Sequence, residues 1–316
     1  MPLGKFRSEK FGKEKPGQES DEVAGVVERL AMLLEAGIAP DAAWGYVGEF
    51  SSHPVAGSVA RSVGLGARPV DVFSASSAFR RSGAGAWRTL ATAWAVADAS
   101  GAPLAPSLRQ LASALRDRAE TERDIEVSLA GPLATARLVG WLPIVGLGFG
   151  MLMGVDVIGT LLGGILGWGV LVAGIVLLVG GRLWTRRLAR RAAPESAVAG
   201  VDLDLVAVAL TGGVSVARAK AMVRDVSMTY RVGAATESGL DRILGLASRA
   251  GAPAVDLLRS EAQQVRRDAR IEGKRAAATL AVRLMLPLGV CVLPSFMLLG
   301  VAPVVLSIIS STLRGF

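Results

Sequence analysis

Apolar and charged residues lie in long separate blocks along this chain. The longest uncharged block runs from Leu138 to Gly181 and carries one charge, Asp156, in 44 residues. As a single helix it would be about 66 Å long, roughly twice the hydrocarbon thickness of a bilayer. We therefore predict a transmembrane hairpin, with helices over 138–155 and 161–181 and a turn around Asp156.

A second uncharged block, 284–313, lies near the carboxyl end and is 30 residues long. That length fits one tilted crossing of a bilayer. Pro287, Pro294 and Pro303 are expected to kink this helix, because proline removes a helical hydrogen bond. The two blocks together predict three transmembrane helices.

Arginines directly after the hairpin predict its orientation. Clusters of basic residues next to a span stay on the cytoplasmic side of the membrane. We therefore expect the amino terminus and both long polar segments in the cytoplasm, and Phe316 outside. The cluster comprises Arg182, Arg186, Arg187, Arg190 and Arg191.

The polar segments show the apolar spacing of amphipathic helices. We predict a flexible basic tail over 1–20, a first cytoplasmic helical domain over 21–137, and a basic segment with a second such domain over 182–283. Short helices joined by loops are expected between Phe50 and Gly85. The predicted fold class is an all-α integral membrane protein with two tandem cytoplasmic helical bundles and three transmembrane helices.

An ordered set of residues occurs twice, which indicates an internal repeat. The distance in sequence between matched residues is 176 near the start of the repeat and 150 near its end, so the first copy has 26 extra residues, which fit within the Phe50 to Gly85 region. The matched residues are Gly37 with Gly213 at an offset of 176, and Gly101 with Gly251, Pro103 with Pro253 and Glu122 with Glu272 at an offset of 150.

Composition excludes several functional classes. The net charge is +8, but the basic residues concentrate beside the spans, so nucleic-acid binding is not expected. Cys291 is the only cysteine, which excludes an intramolecular disulfide. A phosphate-binding Gly-x-x-x-x-Gly-Lys-Ser/Thr motif is absent from the sequence.

Candidate catalytic and metal-binding groups are few. His53 is the only histidine, and we interpret it as a surface residue before Pro54 rather than a catalytic base. The matched Glu122 and Glu272 could bind a cation, although a solvated, ion-paired helix face is favoured. We predict that the protein is not an enzyme and needs no cofactor or metal.

Glycines recur every four residues in the predicted hairpin. Such spacing makes a smooth groove for close packing of membrane helices, either within the chain or against a partner. Glycine is also common in membrane helices generally, which is the alternative explanation. The glycines are Gly146, Gly150 and Gly154 in the first span, and Gly159, Gly163 and Gly167 leading into the second.

The duplicated architecture resembles the type II secretion system F family, the platform proteins of type II secretion and type IV pilus machines. The resemblance rests on Leu33-Leu34-Glu35-Ala36-Gly37-Ile38-Ala39-Pro40, its weaker copy over 209–216, and the two Gly-Ala-Pro blocks. The short domains, rich in Ala, Val, Gly and Arg, look most like the Tad or Flp pilus branch. That branch usually divides the two domains between two proteins, whereas this chain holds both.

The resemblance implies an inner-membrane platform that binds a cytoplasmic secretion ATPase and passes its motion to pilin or pseudopilin subunits. It also implies self-association or a paralogous partner within membrane lipid. Four matched arginines would then be candidates for docking the ATPase, since each pair recurs on one helix face. They are Arg109 with Arg259 and Arg116 with Arg266.

A small transporter with a duplicated architecture is the alternative, in which Asp156 and the glycine grooves would form a path. Transporter repeats place most of the duplicated mass in the membrane, around a site at its midplane. Here most of the duplicated sequence is polar, so the platform interpretation is preferred.

The predicted topology can be tested with reporter fusions. A reporter placed near Ala197 is expected to lie in the cytoplasm, and one placed after Phe316 is expected outside. A cytoplasmic signal after Phe316, or an exterior signal near Ala197, would contradict the three-span topology.

Overall fold

The computed structural model describes residues 16–51, 53–75, 85–152, 159, 165–191, 198–232, 237–303 and 305. Within these ranges the regular structure is helical, which confirms the all-α class. The first eleven helices are α1 Pro16–Glu35, α2 Pro40–Phe50, α3 Pro54–Gly64, α4 Pro69–Ala75, α5 Gly85–Ser100, α6 Leu104–Leu152, α7 Ile165–Arg191, α8 Val201–Thr211, α9 Val216–Tyr230, α10 Glu237–Ala250 and α11 Ala254–Arg283.

The described residues form two compact units. The first lies within Met1–Arg123 and Glu195–Ile271, and the second lies within Asp124–Pro194 and Glu272–Phe316. Helices of both sequence copies therefore contribute to the first unit. The boundaries of two separate cytoplasmic domains stay a prediction.

Helix α1 shows how the sequence builds the core of the first unit. Val23, Val26, Val27 and Leu30 are at most 1% exposed, and their spacing of three and four residues places them on one face. The helix begins inside the predicted flexible tail, at Pro16. Proline suits this position because the first turn has no hydrogen-bond partner for its missing N–H.

Three aromatic side chains fill the core beside α1. The Trp44 ring centroid lies 5.8 Å from those of both Phe73 and Trp94, and the Phe73 ring stands edge-on to Trp94 at 6.2 Å. Edge-to-face and tilted arrangements of this kind are favoured by the aromatic quadrupole. They bring α2, α4 and α5 together.

The repeated glycines end helices at corresponding places in the two copies. Gly37 after α1 has a φ of +81°, and Gly213 after α8 has a φ of +84°. Side chains with a Cβ rarely adopt this left-handed conformation. After α1 the Ile38 N–H donates to the Leu33 carbonyl at 3.0 Å, which satisfies a carbonyl at the helix end.

The two Gly-Ala-Pro blocks share the same hydrogen bond. The Ala102 N–H donates to the carbonyl of Ala97 at 3.0 Å, and the Ala252 N–H donates to that of Ala247 at 3.1 Å. Gly101, with a φ of +71°, lies between α5 and α6 in the first copy. The repeat seen in the sequence therefore relates α1, α2, α5 and α6 to α8, α9, α10 and α11.

The extra residues of the first copy contain α3 and α4, the short helices expected there. The surface position predicted for His53 is wrong, because the residue is 6% exposed. Its Nδ1 accepts a hydrogen bond from the Val55 N–H at 3.2 Å, and its ring lies 4.9 Å from that of Trp87. The imidazole caps the start of α3, which explains its burial.

In the part of the chain that the structure describes, three helices are long and apolar enough to cross a membrane. They run over Leu104–Gly146, Gly167–Thr185 and Ala254–Val301. The predicted turn around Asp156 lies outside the described residues.

The third apolar segment departs from regular α-helix near its prolines. After Pro287 the backbone is π-helical over Leu288–Val292, returns to α-helix over Leu293–Phe296, and is π-helical again over Met297–Val301. Wider π-helical turns accommodate backbone groups that proline leaves without their usual helical partner. The expected irregularity thus takes the form of two π-helical turns.

Glycines of α7 contact this third segment at a spacing of seven residues. Gly167, Gly174 and Gly181 are all buried. A Cβ on Gly174 would lie 2.4 Å from Leu299 Cγ, and one on Gly181 would lie 2.9 Å from Cys291 Cβ. The close approach leaves no room for a side chain at either glycine.

The glycines predicted to form the grooves are placed differently. A Cβ on Gly146 would lie 2.9 Å from a ring carbon of Phe296, so this glycine does contact the third segment. Gly150 belongs to α6, Gly159 is exposed and Gly167 is buried. Gly154 and Gly163 lie outside the described residues, and the four-residue groove stays a prediction.

Gly174→Leu should destabilise the packing of α7 on the third segment, by about 1 to 3 kcal/mol, because the new side chain overfills a close contact. Gly180→Leu is the matched control, since a Cβ there would meet nothing within 4 Å. Thermal unfolding in detergent would measure both variants. Equal melting temperatures for the two would contradict the contact.

Candidate functional site: the repeated arginines and their acids

The first pair of predicted docking arginines lies on α6 and faces α1. Arg109 forms an ion pair with Glu35, and Arg116 forms one with Glu28. The arginine side chains are 63% and 54% exposed, respectively, so both remain accessible to a partner. Exposed pairs of this kind contribute little to stability, about 0 to 1 kcal/mol each.

A groove runs between α1 and α6 at these pairs. Met32, which is 55% exposed, supplies apolar surface over two buried alanines, and two arginines and two carboxylates flank it. An apolar surface bordered by charged residues is typical of a protein–protein interface. Its lining includes Glu28, Ala31, Met32, Arg109, Ala112 and Arg116.

The second pair of arginines has a different environment. Arg266 on α11 donates from Nη1 to Asp204 Oδ2 at 2.6 Å, and both side chains are 11% exposed. Gln110 of α6 donates to the other carboxylate oxygen, also at 2.6 Å. Burial raises the pKa of Asp204, and the nearby Arg266, Gln110 and Arg259 offset part of that rise.

Arg259 is half-buried near the same carboxylate. Its Nε atom is buried and has no hydrogen-bond partner within the part of the chain that the structure describes. The two matched pairs therefore do not present two similar exposed ridges. Only Arg109 and Arg116 lie where a docking partner could contact both guanidinium groups.

The two ion pairs of Arg116 and Arg266 are repeat equivalents. Arg116 and Arg266 differ by 150 positions, and their partners Glu28 and Asp204 differ by 176, the offsets that relate the two copies. Matching by residue identity relates the two arginines but not their acids, because Glu28 and Asp204 are different residue types. A comparison that treats Glu and Asp as equivalent at the 176-residue offset relates Glu28 to Asp204.

The matched glutamates also differ between copies. Glu122 accepts from Arg118 Nε at 2.8 Å and from Ser20 Oγ at 3.1 Å, and its side chain is 8% exposed. Glu272 is exposed. In the described ranges no three His, Cys, Asp or Glu residues cluster in a way that could hold a metal ion.

Asp202 is a half-buried acidic residue that no pattern in the sequence marks. It lies in the first turn of α8, and its Oδ1 is buried without a hydrogen-bond partner among the described residues. Burial raises the pKa of Asp202 to about 6, from an ordinary value of 3.8. Compared with the unfolded chain, the folded protein therefore favours the neutral form of the Asp202 carboxyl group.

This shift predicts a pH-dependent stability. The unfolded chain releases the Asp202 proton first, so stability should fall as the pH rises from about 4 to about 6. Asp202→Asn should remove this loss and raise the unfolding free energy at pH 7 by about 1 to 2 kcal/mol, a value discounted for partial exposure. Denaturant unfolding from pH 4 to 7 would measure it, with exposed Asp225→Asn as control. A parallel pH profile for Asp202→Asn and wild type would contradict the shift.

Comparison with protein families identifies the first copy. Residues 26–152 match the family model of the type II secretion system (T2SS), protein F. The match extends from α1 to the end of α6 and includes the first apolar segment. Neither the curated proteins nor the solved structures yield a match to the chain.

The match supports the resemblance drawn from the repeated motifs. Proteins with this domain are non-catalytic membrane platforms of secretion and pilus-assembly machines. Three apolar helices agree with a multi-pass membrane protein of that kind. The segment from α1 to α6 is thus similar to protein F of type II secretion systems.

Proposed function

We propose that this protein is an inner-membrane platform of a pilus machine of the Tad or Flp kind, or of a type II secretion machine. It binds a cytoplasmic secretion ATPase and couples that ATPase to the assembly of pilin or pseudopilin subunits. The observation that carries the proposal is the match of residues 26–152 to the protein F family.

The continuity of α6 supports a coupling role. This helix runs from Leu104 to Leu152 without a break, and so it includes both the charged face opposite α1 and the first apolar segment. Pro132 and Pro143 each remove one backbone hydrogen bond, but the helix continues past both, so a displacement of its charged part reaches the apolar segment through a continuous helix that can bend at these prolines. No nucleotide needs to bind this chain for such a transfer.

The α1–α6 groove is the proposed docking surface for the ATPase. Arg109 and Arg116 lie two turns apart on one side of α6 and are exposed beside apolar surface. An acidic segment of the partner could replace Glu35 and Glu28 as the counter-charge. Charges at the rim of an interface mainly accelerate association and make it sensitive to salt.

The double variant Arg109→Glu with Arg116→Glu should reduce recovery of the secretion ATPase by about tenfold at low salt, with a smaller difference at high salt. Its matched control is Glu28→Gln with Glu35→Gln. The control breaks the same two ion pairs but keeps the arginines, so it should retain or increase ATPase recovery. Affinity purification from detergent-solubilised membranes would measure both.

The two possible failures have separate meanings. If the wild-type protein recovers no secretion ATPase, the proposed function is contradicted. If both double variants lose the ATPase equally, the ion pairs matter only for local structure and the groove is not the docking surface.

A further inference from the structure

Two ion pairs join residues that occupy the same position in the two copies of the repeat. In the first unit, Arg270 Nη2 donates to Glu120 Oε1 at 2.8 Å. In the second unit, Lys274 Nζ lies 3.1 Å from Asp124 Oδ2. The partners in each pair are 150 positions apart, the offset that relates α6 to α11. We name these two pairs the charged seam.

The seam shows that α6 and α11 run in the same direction where they meet. Arg266 lies 3.7 Å from Asp117, and the next pair along both helices is Arg270 with Glu120. Residue numbers therefore increase in the same direction on both helices. Equivalent positions face each other when two parallel helices are related by an approximate two-fold axis, as in a parallel coiled coil. At Glu120–Arg270 and Asp124–Lys274, equivalent positions of the two copies therefore face each other within one chain.

The charges along the seam are segregated by copy. At both seam positions the α6 residue is acidic and the equivalent α11 residue is basic: Glu120 and Asp124 correspond to Arg270 and Lys274. Pairing of two first copies would place acids opposite acids, and pairing of two second copies would place bases opposite bases. Like charges at facing positions oppose association.

We propose that the charged seam determines which helices pair: it joins the first copy to the second copy of the same chain and rejects pairing between like copies of two chains. Each exposed pair is weak, so the seam acts through the difference between attraction and repulsion rather than through large stabilisation.

Zero-length coupling of carboxylates to amines with a carbodiimide would test the pairing in the full-length protein. Lys274 is close enough to Asp124 to form an isopeptide bond, which peptide mass spectrometry would identify. Lys220 and Asp241, 2.6 Å apart within the second copy, provide an internal reference away from the seam. The Asp124–Lys274 product should form, and its yield is expressed relative to the reference product.

Charge exchange at the neighbouring pair tests the specificity. Glu120→Arg should lower the relative yield of the Asp124–Lys274 product by about threefold or more at low salt, because two arginines then face each other. Adding Arg270→Glu should restore the yield. Exposed Glu261→Lys on α11 is the control and should leave the yield unchanged.

Co-expression of two differently tagged chains distinguishes pairing within a chain from pairing between chains. One chain carries Asp124→Asn and the other Lys274→Gln, so the product can form only between them. No product is expected. Three outcomes would each overturn the proposal. The first is a product between the two chains, and the second is a wild-type protein that forms the reference product but not the Asp124–Lys274 product. The third is failure of Arg270→Glu to restore the yield.

Discussion

The carboxylate of Asp204 lies inside the first unit, where burial disfavours its charge and Arg266 offsets part of that penalty. Together with Gln110, this ion pair joins α8, α11 and α6 at one point. Removing either charge would leave the other largely buried and without its closest partner, which destabilises the fold, although Arg259 near Asp204 and Asp117 near Arg266 offset part of the loss. The packing of helices from both copies thus depends on a polar contact inside a largely apolar core.

The repeat-equivalent ion pairs Arg116–Glu28 and Arg266–Asp204 have different consequences because their solvent exposure differs. In the first copy, Arg116 and Glu28 are solvated, so they can exchange partners at small energetic cost. In the second copy, the Asp204 pair is fixed by burial and by a second hydrogen bond. The arginine of the first copy is therefore accessible to solvent, whereas that of the second copy supports the packing of the first unit.

Local signals in the sequence predicted the helices well, whereas contacts between distant segments were not predictable. Gly37 and Gly101 end helices because of their own backbone freedom, and this can be recognised from one position. The burial of His53 depends on Trp87, and the environment of Arg266 depends on a carboxylate 62 residues away. Neither distance could be inferred from helical spacing.

The segregation of charge between α6 and α11 addresses the ambiguous pairing of duplicated helices. Two identical copies would each present the same helix face, and that face would pair equally well within a chain and between chains. Opposite charges at Glu120 and Arg270 disfavour pairing between like copies of two chains, and the covalent connection favours the second copy of the same chain through its higher effective concentration. Because α6 continues into the first apolar segment and α11 leads to the third, the charges that select the pairing lie on the same helices that approach the membrane. The proposed coupling role requires this arrangement, since a movement shared by paired helices reaches two spans rather than one.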